Sequence, residues 1–188
     1  MMSAALPENI EQKTIQRILS GDVSVFSEII SNHQQKIRSY IFKRCSNHAD
    51  AEDITQEIFI AAYNNLPQYD NSKPFSAWLF GIARNKSNEH FRKAKRVPIP
   101  SDDTPEISHL DTPDAQISTS ERSNNFWNEA KSILNEEQFT SIWLKYHQEF
   151  SISEISSAMK VTESNAKIHL FRARKKLSTS TIINQLVS

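Results

Sequence analysis

Gly21 and Gly81 are the only glycines in this 188-residue chain, and that scarcity restricts its fold more than any other feature. Many short strands joined by tight turns need residues that tolerate positive φ, and a phosphate-cradling loop needs clustered glycines. Neither can be built here. The chain is therefore expected to be all-α.

The spacing of apolar residues supports this. Phe26, Ile29, Ile30, Ile37, Tyr40 and Ile41 recur at three and four, which places them on one stripe of a long helix. In HADAEDITQEIFIAAYNNL, Ile54, Ile58, Ala61 and Ala62 share a face, and Glu52, Asp53, Gln56 and Glu57 fall largely elsewhere. A third helix opens after Pro74, with Phe75, Trp78, Leu79 and Ile82 inward and a strongly basic second half. The composition then changes. Residues 97–125 hold four of the seven prolines, six acids and one base, the profile of a flexible linker. Beyond it, Phe126, Ala130, Ile133 and Leu134 begin a second helical unit, which Phe139, Ile142, Trp143 and Tyr146 continue after a cap at Asn135. The expected organisation is two small helical domains, 8–96 and 126–180, joined by that linker.

The second unit carries the sharper motif. Ser151 and Glu154 have capping-box spacing, and Ile152, Ile155 and Met159 supply a buried stripe. The turn Lys160-Val161-Thr162 leads to another helix capped by Thr162, and the pair has the size of a helix-turn-helix. On that helix Ala166, Leu170, Ala173 and Leu177 form a narrow seam. Ser164, Asn165, Ile168, Arg172 and Lys175 point away from it, with Lys167, Arg174 and Lys176 on the flanks, so small polar groups lie among donors for phosphates and base edges. A solvated basic helix would read the same way.

A second basic tract shifts the balance toward nucleic acid. RNKSNEHFRKAKR sets Arg84, Lys86, Arg92, Lys93, Lys95 and Arg96 against only Glu89, and the two tracts together hold twelve of the chain's 22 basic residues at zero net charge. Aromatic residues beside a basic groove can stack on unpaired bases. Phe75 and Trp78 read as core, which leaves Tyr69, in a loop, as the stacking candidate.

DAEDITQEIFIAAYNNL, PFSAWLFGIARN and SISEISSAMKVTESNAKIHLFRARKKL together resemble a bacterial extracytoplasmic-function sigma factor of the sigma-70 family, over about residues 10–96 and 126–180. The resemblance implies a region 2 and a region 4 without the larger middle domain. It implies binding to the core RNA polymerase, at the β′ clamp helices and the β flap, and to promoter DNA, with an anti-sigma factor as a further partner and no cofactor. Asp50, Glu52, Asp53, Gln56 and Glu57 match the segment that docks on the clamp helices. Asn65, Tyr69, Ile82 and Asn85 match the lining of a pocket for a base flipped from the −10 element, with Arg84, Lys86, Arg92 and Lys93 on the strand's phosphates. Ser164, Asn165, Lys167, Ile168, His169, Arg172, Arg174 and Lys175 fall on the recognition helix for the −35 element. This chain departs from the family at Lys160, where glycine is common in the turn, at Ala166, where valine is common, and at His169, where arginine is common.

Two other readings remain open on the sequence. One is a helix-turn-helix repressor using the second unit alone; the other is a sigma mimic that binds protein without promoter activity. An enzyme is not expected, because the six histidines are scattered without metal-ligand spacing and Cys45 has no activating partner in the sequence. The longest apolar run, Ile58 to Tyr63, is far below the roughly 20 residues a membrane helix needs, and a lone cysteine suits a reducing cytoplasm.

Overall fold

A computed structural model of the chain describes residues 8–45, 47–94 and 119–179. Eight α-helices and two short 3-10 turns, Val23–Val25 and Leu66–Gln68, make up the described residues, with no strand among them. The first half contains α1 (Glu8–Leu19), α2 (Phe26–Cys45), α3 (His48–Asn65) and α4 (Phe75–Ala94). The second contains α5 (Thr119–Ile133), α6 (Glu136–Tyr146), α7 (Ile152–Met159) and α8 (Glu163–Ser178). Of the expected linker 97–125, residues 97–118 lie outside the described residues, as do Lys95 and Arg96; from Thr119 the chain is already helical in α5.

Local chemistry fixes the starts of four of the helices. Asn47 accepts from the Ala49 amide at the head of α3. Asn135 with Gln138, and Ser151 with Glu154, form reciprocal capping boxes on α6 and α7, and Thr162 accepts from the Asn165 amide on α8. Each satisfies amides that the first helical turn cannot pair internally, a stabilisation of about 1 kcal/mol per cap. Lys160 ends α7 in the left-handed region, at φ 53° and ψ 47°, so its amide reaches back to the carbonyls of Ser156 and Ser157. A non-glycine residue is strained there by about 1–2 kcal/mol.

The stripes bury largely as their spacing requires. Ile29, Ile37, Tyr40 and Ile41 of α2 meet Ile54, Ile58, Phe59 and Ala62 of α3, and Phe75, Leu79 and Ala83 of α4 close that core. Several expected positions pack only at the edge of the core, Phe26, Ile30, Trp78, Ile82, Phe126, Ile133 and Ile152 among them. Ala61 is only half-buried, because α3 turns Ala51, Thr55 and Phe59 inward instead, and Tyr146 is 55% exposed at the end of α6.

The larger difference is between the halves. They pack against one another chiefly through α4 on α7, with α2 meeting α5. The Tyr40 and Thr140 hydroxyls hydrogen-bond at 2.9 Å in the interior, and the Tyr40 ring also meets Phe80 and Trp143. Phe80 packs edge-on against Phe150. Arg44, only 8% exposed, donates to Tyr40 Oη and Asn88 Oδ1 and pairs with Glu136 at 3.0 Å, tying α2 and α4 to the start of α6. Close approach of α4 to α7 is possible because Gly81 has no side chain: a Cβ there would stand 3.2 Å from the Ala158 carbonyl oxygen. The described halves thus share one apolar core.

Candidate nucleic-acid interface

On α8 the seam is sealed, with Ala166, Leu170, Ala173 and Leu177 all buried. Ser164, Asn165, Lys167, Ile168, Arg172, Arg174, Lys175 and Lys176 are exposed, and His169 is half-buried. Two cations are already engaged. Arg174 donates from Nε to the Tyr146 hydroxyl at 2.8 Å and lies over that ring, and Lys176 reaches the Ile133 carbonyl. Tyr146 therefore positions Arg174 rather than filling a core. Phe171, 66% exposed on the same outer surface, was not singled out by the sequence; its i+3 relation to Ile168 is the signal that could have found it.

In the first half, α3, the turn after it and α4 converge on a polar groove. A cavity of about 420 Å³ is lined by Asn65, Gln68, Trp78, Ile82, Asn85 and Lys86, among others. A neighbouring cavity of about 270 Å³ adds Tyr69 and Lys73 and shares Trp78, Ile82 and Asn85. The expected set of Asn65, Tyr69, Ile82 and Asn85 is thus brought to one place. Tyr69 is half-buried, held by its hydroxyl donating to the Lys73 carbonyl and by ring contacts with Phe75 and Trp78. Trp78, read as core, lines the groove.

The expected phosphate ligands behave unequally. Arg92 is exposed. Lys86 lies between Glu57 at 3.6 Å and Glu89 at 4.0 Å, and Lys93 pairs with Glu89 at 2.8 Å. That hydrogen bond and charge hold the Glu89 carboxyl below its ordinary range and raise the Lys93 ammonium. Arg84 is turned toward the other half, its Nη1 donating to the Met159 carbonyl at 3.3 Å and its Nε buried without a partner. Lys160, from the helix-turn-helix turn, borders both cavities.

The acidic helix presents Glu52, Asp53, Gln56 and Glu57 to solvent, with Asp50 half-buried. Beside them runs an apolar groove of about 680 Å³ between α2 and α3, floored by Phe26, Ile30, Phe59, Ile60 and Tyr63 and bordered by the Arg38–Glu52 ion pair at 3.1 Å. Ile60 is 61% exposed. The six-residue apolar run from Ile58 to Tyr63 was the clue, since one face of a helix cannot bury all of it.

Among the described residues no group of three or more His, Cys, Asp or Glu side chains is placed to hold a metal ion, and no helix is long and apolar enough to cross a membrane. Burial pushes the Cys45 thiol up, and its Sγ–H donates to the Asn47 carbonyl. A thiol so held is a poor nucleophile at neutral pH.

A helical body with an acid-faced helix, a polar groove beside a basic helix, and a capped helix-turn-helix is the arrangement of a two-module sigma factor. The Sigma-70 region 2 family matches residues 29–97, and the Sigma-70, region 4 family matches residues 129–177. The chain is 28% identical over 180 residues to the ECF RNA polymerase sigma factor SigW of Bacillus subtilis, covering 90% of this chain and 96% of SigW. It is 31% identical over 155 residues to SigM of the same organism, covering 80% of this chain and 91% of SigM. Among solved structures, CnrH of Cupriavidus metallidurans, in complex with the cytosolic domain of CnrY, superposes with a TM-score of 0.66 at 21% identity over 89% of this chain and 94% of that one. The chain belongs to the extracytoplasmic-function sigma factors of the sigma-70 family, which direct RNA polymerase to promoters.

Proposed function

We propose that the two halves divide promoter recognition between them. Region 2 docks on core polymerase through Glu52, Asp53, Gln56 and Glu57, with the neighbouring apolar groove taking part, and captures an unpaired −10 base between Asn65 and Asn85. Region 4 inserts α8 into the −35 major groove. The observation that carries this is the convergence of Asn65, Tyr69, Ile82 and Asn85 on one groove beside a basic helix. Amides can read a base edge, and the adjoining aromatic and aliphatic groups can cover its face.

The packing of the halves adds a condition. Lys160 borders the region 2 groove, and Asn165 follows five residues later, so at about 3.4 Å per residue the two reading surfaces lie within roughly 17 Å. Two DNA turns measure about 70 Å. Both promoter elements can be held together only after region 4 leaves region 2, which also releases Arg84 from Met159. A cytoplasmic anti-sigma factor that favours the packed form is a fitting regulator.

Run-off transcription with purified core enzyme on a promoter library, with permanganate probing of unpaired thymines, tests the reading. Specific transcripts that depend on this chain and an opened −10 segment are expected. Tight, specific binding by the free chain without any transcription would favour a repressor instead.

A further inference from the structure

Phe171 is the most exposed large apolar side chain among the described residues, at 66%, and Ile168, one turn earlier on α8, is 43% exposed. Both lie opposite the buried seam of Ala166, Leu170, Ala173 and Leu177. Exposed Ser164, Lys167, Arg172 and Lys175 surround them. An apolar step on an isolated surface contributes little to the fold, and such patches mark binding sites. This one is rimmed by cations, so its partner must be anionic and also present apolar groups at close range. The DNA major groove does both: its floor is polar except for the C5-methyl groups of thymine, and its walls are phosphates.

We propose that Ile168 and Phe171 are specificity residues that read thymine methyl groups in the −35 element. This rests on the reading of α8 as the recognition helix and adds the base class that it selects. Three residues of helix rise about 4.5 Å, close to the 3.4 Å step between base pairs, so the two side chains address thymines at neighbouring steps on either strand. Ser164 and Asn165, at the start of the helix, supply the polar half of the readout, and Lys167, Arg172 and Lys175 supply sequence-independent grip.

The test uses the full chain with core polymerase. A −35 library is selected by run-off transcription, and the thymines in the enriched sequences are then replaced one at a time by deoxyuridine, which removes only the methyl group. The wild type should lose about fourfold in promoter affinity for each methyl removed at the contacted steps. Phe171→Ala and Ile168→Ser should bind thymine and deoxyuridine templates equally at the matching step, Phe171→Leu should keep part of the difference, and Lys175→Ala should weaken both templates alike. Equal use of both templates by the wild type, or unchanged discrimination in Phe171→Ala, would overturn the proposal. So would loss of core-enzyme capture in Phe171→Ala, which would make the patch a protein-docking surface. No transcript from any template would remove the sigma reading itself, and this proposal with it.

Discussion

Substituting Gly81 by leucine probes the seam between the halves. The Cβ alone would stand 3.2 Å from the Ala158 carbonyl oxygen, so α7 would already have to retreat by tenths of an ångström. The remaining side-chain carbons need several ångströms more. Overpacking of this kind costs about 1–3 kcal/mol at the interface. Within α4 the effect is opposite, since leucine is favoured over glycine in a helix by roughly 0.8 kcal/mol. The substitution should therefore strain the seam without unfolding either half. The seam's polar bonds oppose this: Tyr40 to Thr140 and Arg84 to the Met159 carbonyl at about 1 kcal/mol each, and the charge-assisted Arg44–Glu136 pair at about 1.5–3 kcal/mol. Small-angle scattering should show a rise in the radius of gyration from the roughly 16 Å of a compact chain of this length. Trp143, 1% exposed and packed on Tyr40, should shift its emission to the red. Gly81→Ala, which needs a retreat of only tenths of an ångström, should leave both signals unchanged. Unaltered scattering in Gly81→Leu, or loss of helical signal on the same scale as full unfolding, would refute the reasoning.

Charge reversal at Asp53 and Glu57 should weaken capture of core polymerase by about tenfold or more, with an unchanged circular dichroism spectrum. Tyr40→Phe leaves the Thr140 hydroxyl and the Arg44 guanidinium each short of a partner and should cost about 1–3 kcal/mol in urea denaturation. His147 stacks on Trp143 with centroids 4.0 Å apart, and desolvation lowers its pKa. The unfolded chain then binds the extra proton first, so this contribution is present above about pH 6.5 and is lost as pH falls below it. His147→Gln should flatten the decline in melting temperature as pH falls below about 6.5.

The sequence was most informative where a single element satisfies its own requirements. The caps at Asn135, Ser151 and Thr162 and the α8 seam depend on neighbours three or four residues away, so spacing alone revealed them. Tyr69 was singled out as an aromatic residue in a loop, but its grouping with Asn65, Ile82 and Asn85 was reached through family resemblance, because the four are spread over separate elements that only the tertiary fold unites. The seam between the halves was not legible. Tyr40 and Trp143 each looked like core for their own unit, and nothing local indicates that 100 residues of chain separate Tyr40 from its hydroxyl partner at Thr140. Ion pairing was hidden for the same reason: Glu57 and Lys86 sit on different helices, and their proximity draws an acid of α3 toward a base of α4.

Lys160 joins two demands at one position. Glycine would relax the bend between α7 and α8, yet it would remove a cation from the edge of the groove where Asn65 and Asn85 meet. A stiffer bend is thus coupled to the electrostatic character of a cleft in the opposite module, and one side chain serves both the joint of the helix-turn-helix and the rim of that cleft.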